Sequence, residues 1–207
     1  MRENIIETSL QQFLQHGIKK MTVKELVSPL GISTKTVYKY FADKETLLEE
    51  CVELHYSRIH VGMLQVSQHN SNPLLFIFQL FIRGMELDFT INALFYQDLN
   101  YYYPDLQDKV IKSNSEKFYE PIAAAFKSGI EQGYILDCVN PAVILEGLGV
   151  FYRALTRSAL FQKFDLSPFE LAANTIELYL RGVCTEKGLS IIEANRNLTS
   201  FNKNTAS

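Results

Sequence analysis

The sequence predicts an all-α protein in two parts, a short N-terminal group of helices and a larger helical body. Three observations carry that expectation. Apolar residues recur at spacings of three and four, and the alternation of a half-buried strand is nowhere sustained. Helix starts are repeatedly marked by a capping residue followed by Pro, or by Glu three positions on: Thr22 with Glu25, Asn72-Pro73, Asn140-Pro141, and Ser167-Pro168 with Glu170. Charge is uneven as well. Residues 1–47 hold seven Lys or Arg against five Asp or Glu, a balance of +2, which leaves −5 for the rest of a chain whose formal net charge is −3.

Taken in order, the first helix sets Ile5, Ile6, Leu10, Phe13 and Leu14 on one face and ends near His16, with Gly17 placed for a left-handed cap. The second opens on the Thr22/Glu25 capping box with Met21 and Leu26 as a hydrophobic staple. Val23, Leu26, Val27 and Leu30 form its inward stripe, Pro29 shortens its last turn, and Gly31 permits a tight turn. Ser33 caps a third helix through about Tyr40. Asp43 caps a long fourth one that reaches about His69, where "HNSNP" breaks it.

Asn72 and Pro73 then start a fifth helix, and "YYYP" closes another near Tyr103. A helix from about Pro104 to Gln132, with a kink at Pro121, ends at Gly133. Long helices follow Pro141 and Pro168, the second reinforced by the Ser167/Glu170 box and a Leu166/Leu171 staple. The polar stretch from Ser190 to the end reads as a frayed tail. The expected division is 1–47, 48–189 and 190–207.

Composition narrows the class. A chain of 207 residues with 47 % hydrophobic content buries a real core. Cys51, Cys138 and Cys184 are scattered and odd in number, so neither a disulfide framework nor a zinc site is implied, and a reducing, cytoplasmic setting is expected. The charged N-terminus does not read as a signal peptide, no window suits a membrane helix, and a soluble protein follows. No HExxH, GxSxG, P-loop or GxGxxG is present, which argues against an enzyme, and no cofactor or metal is called for. Cys51 and His55 lie one turn apart, but no further ligands accompany them, so a buried Cys beside a His is the expected account.

The second and third helices, joined at Gly31, have the spacing of a helix-turn-helix, whose second helix enters the DNA major groove. At 100° per residue, Thr34, Lys35, Tyr38 and Lys39 share an arc of about 140°, while Val37 and Phe41 lie on another face. Val37 and Ile32 would pack on Leu26 and Leu30, leaving Thr34 and Lys35 free to reach base edges. Tyr38 and Tyr40 offer hydroxyls for phosphates, Lys44 offers charge beside the next helix start, and Thr22 can contact the backbone similarly. Thr36 and Lys39 complete the expected DNA-facing set.

The run "MTVKELVSPLGISTKTVYKYFADKETLL" closely resembles the DNA-binding region of the TetR family of bacterial transcriptional regulators. That pattern runs Thr-Val, a Gly-Val/Ile-Ser turn, Thr-Leu/Val-Tyr-x-Tyr-Phe and Lys-Glu-x-Leu. The resemblance covers roughly residues 5–48; beyond it the chain agrees in length, helical content and the glycines of "SGIEQGYI". Lys35 stands where many members carry Gly, Ala or Pro, and Ser28-Pro29 replaces the usual helical residues. The resemblance implies base reading by Thr34 and Lys35, phosphate contacts from Thr22, Tyr38, Tyr40 and Lys44, and double-stranded operator DNA as partner. It also implies a small-molecule effector and a homodimer.

For the effector, aromatic residues of the second part are the candidates, namely Phe81, Phe89, Phe95, Tyr96, Phe118, Tyr119 and Phe151, since pockets between helices are lined by such side chains. Arg83, Glu86, Asp88, Asp98, Glu116, Arg153 and Arg157 read mostly as a solvated face; a buried carboxylate among them would suit a cationic ligand and a buried arginine an acidic one. Gly147, Gly149, Ala154 and Ala159, with Ala172, Ala173 and Gly182, mark two helices that the resemblance pairs with their symmetry mates as a four-helix bundle. The competing reading is a helical ligand-binding or adaptor dimer that does not touch DNA.

Overall fold

The computed structural model describes residues 1–69, 71–158, 160–161 and 163–199, without the side chains of Gln107, Ile111, Lys112, Ser115 and Glu116. The described residues are helical throughout: α1 Arg2–His16, α2 Val23–Val27, α3 Thr34–Val37, α4 Lys44–His69, α5 Pro73–Asp88, α6 Ala93–Tyr102, α7 Pro104–Glu131, α8 Pro141–Arg157, α9 Pro168–Ala172, α10 Leu178–Gly182, α11 Glu186–Ala194 and α12 Arg196–Thr199. Among them the only extended pairing is an isolated bridge, Ile135 with Cys184. No helix of the described residues is long and apolar enough to cross a membrane.

The chain divides into two compact units. One comprises Met1–Val61 with Thr90–Glu116, the other Gly62–Phe89 with the chain from Lys117 onward. Within the first, Ile5, Leu10, Phe13, Ile18, Leu26, Val27, Val37, Phe41, Leu47, Leu48, Phe95, Tyr96 and Leu99 are buried. Within the second, Leu74, Phe76, Ile77, Phe78, Met85, Phe126, Ile135, Leu148, Ala172, Ile176 and Leu180 form the core.

The capping chemistry read from the sequence forms as expected. Thr22 and Glu25 complete a capping box on α2, Ser167 and Glu170 one on α9, and Asn72 accepts from the amides of Leu74 and Leu75. Each satisfies amides that the first turn of a helix leaves without a helical partner. Gly17 does have a positive φ of 81°, but its ψ of −177° makes it an extended exit rather than a left-handed cap. A side chain there would also meet Leu94 Cβ at 2.9 Å.

Four expectations change in detail. Pro29 turns the end of α2 into a 3-10 segment, Ser28–Leu30, closed by the left-handed Gly31. The third helix is regular only over Thr34–Val37; after it the amides of Lys39 and Tyr40 bond three residues back, tightening the turn that was expected to be helical to Tyr40. The helix after Pro168 carries a π segment, Ala173–Glu177, between α9 and α10. The tail is ordered as far as Thr199: Ile192 and Thr199 are buried, and the Thr199 hydroxyl donates to the carbonyls of Ile192 and Asn195. The final stretch "SFNKNTAS" lies outside the described residues.

Candidate nucleic-acid interface

The face of α3 follows from what its neighbours hold down. Val37 of α3 and Phe41, just after the turn that follows it, are 1 % and 2 % exposed, so the apolar side of this segment is spent on the first unit's core. The Arg2 guanidinium lies 5.3 Å from the Phe41 ring centre and pairs with Glu50, tying the start of α1 over the end of the motif. Ser33 caps the helix by accepting the Thr36 amide, and the hydroxyls of Ser33 and Thr36 are 3.2 Å apart, so Thr36 helps hold the start of the helix.

With that side fixed, the other side faces outward. Lys35 and Lys39 are exposed, Thr34 and Thr36 are partly exposed, and Tyr38 and Tyr40 are 52 % and 44 % exposed. Large aromatic rings left this open beside lysines form a surface of hydroxyl donors and positive charge.

Two expected phosphate contacts already have partners within the unit. Thr22 donates its hydroxyl to Glu25 Oε2 at 2.7 Å and its amide to the same oxygen at 2.8 Å. Those hydrogen bonds hold the Glu25 carboxyl below its ordinary range. Lys44 donates to the Ile18 carbonyl at 2.6 Å and lies 5.8 Å from the Phe13 ring centre. Burial pushes its ammonium down, against the pull of Asp98. An ammonium has three N–H donors, so bonding Ile18 leaves others to face outward.

Asp98 corrects the expectation of a solvated face. Its Oδ2 accepts the amides of Ile18 and Lys19, each at 2.7 Å. Asn92, at the start of α6, donates from its side chain to the Gln15 carbonyl and from its amide to that of Leu14. Lys19 lies 4.2 Å from the Tyr102 ring centre. Helix α6 therefore anchors the α1–α2 turn that sets the motif. These partners are some eighty residues apart, and no local pattern announces them.

The candidate ligand residues fall in both units. Phe95 and Tyr96 are buried in the first, where the Tyr96 hydroxyl is 3.1 Å from His55 Nε2. Phe81 is buried in the core of the second, and Phe89, Phe118 and Phe151 pack against it. Tyr119 is 41 % exposed. Cys51 is buried with its thiol donating to the Ile6 carbonyl, and burial pushes that thiol far up. Of the groups expected on a solvated face, Arg83 and Glu86 form an exposed pair and Arg153 is exposed, but Asp88 is buried beside Arg157. The Glu116 side chain and Ala159 lie outside the described residues.

Of the small residues expected at a dimer face, several are used within the chain. Gly147 makes room for the Tyr179 hydroxyl, 2.6 Å from where a Cβ would stand, and Ala172 is fully buried. The same helices leave Val143, Val150 and Leu178 each more than half exposed.

Comparison with known proteins places this geometry. The family model described as bacterial regulatory proteins, tetR family, matches residues 5–51. The probable acrEF/envCD operon repressor of Escherichia coli is 33 % identical over 49 residues, 24 % of this chain and 22 % of that protein. The match therefore spans about a fifth of that relative's length. Among solved structures, a putative TetR-family regulator from Mesorhizobium loti is 22 % identical with a TM-score of 0.65, covering 89 % of this chain and 96 % of the other. Escherichia coli NemR in its reduced form gives 18 % identity and a TM-score of 0.71 over 89 % and 97 %. Such identities establish the fold, while the match over residues 5–51 fixes the helix-turn-helix. Over residues 5–51, the chain is similar to the tetR family of bacterial regulatory proteins.

Proposed function

We propose that the protein is a dimeric transcriptional repressor which a small molecule releases from a pseudo-palindromic operator. The supporting observation is the two-sided third helix with the turn that follows it: Val37 and Phe41 lie in the core while Lys35, Tyr38 and Lys39 stand exposed. In this reading Thr34 and Lys35 address base edges, lysine suiting guanine O6 and N7. Tyr38, Lys39, Tyr40 and the remaining donors of Lys44 address phosphates, with Thr22 at the start of α2 beside them. Thr36 acts chiefly by holding the helix start. Residues 1–47 carry the DNA contacts and 48–189 the ligand and dimer contacts.

The exposed Val143, Val150 and Leu178 supply apolar area on α8 and α10 for a two-fold contact between copies. A dimer sets two reading heads about 34–36 Å apart, one DNA turn. Helix α4 is unbroken from Lys44 to His69, which makes it the element through which ligand binding alters head spacing. Selection of bound fragments from random duplex DNA tests this directly. The expected result is a two-fold related site with salt-dependent affinity; no enrichment above input would leave the adaptor reading in its place.

A further inference from the structure

The last turn of α6 brings aromatic rings and lysines together at one edge of the first unit. Tyr101 and Tyr102 are 79 % and 45 % exposed, unlike Phe95, Tyr96 and Leu99 of the same helix, which are buried. Their rings meet edge-on, 4.8 Å between centres. The Lys19 ammonium sits 4.2 Å from the centre of the Tyr102 ring, so the face of that ring seats a cation that is itself exposed.

The backbone beneath that seat is fixed. The peptide joining Ile18 to Lys19 is held from both sides: Lys44 donates to its carbonyl at 2.6 Å, and its amide donates to Asp98 Oδ2 at 2.7 Å. Burial, and after it the carboxylates of Glu45 and Asp98, push the Tyr103 phenol up, which sets the end of α6 beside the start of α4. Lys19 and Lys44 are therefore neighbours across one peptide. A lysine gives up rotamer freedom when it binds, and the ring under its ammonium has already restricted Lys19.

Charge points the same way. From Thr8 to Lys24 the chain carries no Asp or Glu, and Lys19, Lys20 and Lys24 are all exposed. Two carboxylates close to Lys44 turn to other donors: Asp98 accepts the amides of Ile18 and Lys19, and Glu25 accepts the amide and hydroxyl of Thr22.

We propose that the end of α6 belongs to the DNA interface: Lys19, seated on Tyr102, takes a backbone phosphate next to the one addressed by Lys44, and Tyr102 is the positioning residue that holds it there. The proposal rests on the regulator reading above and extends its contacts to α6, a helix within the residues that carry ligand and dimer contacts in that reading. Exposed ammonium groups on rigid supports suit the phosphates of a duplex, which fix register without reading sequence. The rival role for Lys19, a counter-charge to the negative end of α6, predicts a lower melting temperature with DNA binding unchanged.

The test uses the full chain and a duplex selected by wild type, with affinity followed by fluorescence anisotropy between about 50 and 200 mM salt. Lys19→Ala, and Lys19→Gln which keeps a stem over the ring, should bind about fivefold to tenfold more weakly per half-site at about 0.1 M salt. Their slope of log affinity against log salt should flatten by about 0.9 per half-site, with base preference unchanged. Tyr102→Phe keeps the ring and should bind like wild type. Tyr102→Ala should weaken wild type and weaken Lys19→Ala no further, because the ring acts through Lys19. Methylphosphonates, each removing one phosphate charge, locate the contact: the Lys19 variants should be indifferent at one position per half-site where wild type is weakened. An unchanged salt slope in a Lys19 variant that melts like wild type overturns the proposal, as does a methylphosphonate profile identical to that of wild type. Failure of wild type to bind any duplex would bring down the regulator reading and this extension together; intact wild-type binding with unaffected Lys19 variants brings down the extension alone.

Discussion

Helices α3 and α5 are built by the same capping chemistry and yet constrain their residues in opposite ways. Four residues long, α3 buries Val37 alone. Its neighbours supply its stability, so the identities of Thr34, Lys35, Tyr38 and Lys39 are free to serve a partner. Helix α5 is sixteen residues long and buries nine of them, among them Phe76, Phe78 and Phe81. There almost every side chain has packing work, and residues with a second role are hidden among those without one. Function is therefore easiest to read where a helix is least responsible for its own stability.

That contrast can be broken or sharpened by substitution. The largest effect is expected beneath the motif. Phe13 is fully buried, and Phe13→Ala should cost about 3–5 kcal/mol in urea unfolding through lost burial and a cavity. A loss below about 1 kcal/mol would mean that the motif does not depend on this core. Asp98→Ala removes the acceptor for two amides of the α1–α2 turn and should cost about 2 kcal/mol, with faster hydrogen exchange at Ile18 and Lys19 as its local signature. Thr22→Ala deletes one half of a capping box and should cost about 1 kcal/mol. Unchanged melting would show that the Glu25 carboxylate alone suffices.

The smallest effect is acid lability. Glu25, through Thr22, and Asp43, through the amide and hydroxyl of Thr46, both have carboxyl pKa values lowered in the folded state. Their stabilisation is present above the ordinary carboxylate range and fades as pH falls through the lowered folded values. Unfolding followed between pH 6 and pH 2 should show a shallower acid loss for Thr46→Ala than for wild type. Parallel curves would remove Asp43 from the account.

How much of this was readable in the chain depends on the sequence distance over which each interaction acts. Caps join residues two or three apart, so Thr22, Ser33, Asn72, Asn140 and Ser167 mark their helices in the sequence. The outward face of α3 was legible for the same reason, since helical periodicity is local. The clamp from α6 was not, because Asp98 meets Ile18 and Lys19 across the fold and resembles any surface acid in sequence. The pairing of Asp88 with Arg157 was equally silent. The stretch after Ser190 misled by its polarity: Ile192 and Thr199 are buried there, while Glu193 lies on the exposed side of α11. Gly147 misled in another way, since a small residue signals a close approach without saying which chain approaches.

The central claim is that the outward face of α3 reads DNA bases, and the base preference of Lys35→Ala tests it most directly. Affinities for single-base-pair variants of the selected site are measured for wild type and for Lys35→Ala at one salt concentration. The substituted protein should melt like wild type, because Lys35 is exposed, yet lose about 1–3 kcal/mol of discrimination at one position in each half-site. Identical preference profiles for the two proteins would contradict the claim.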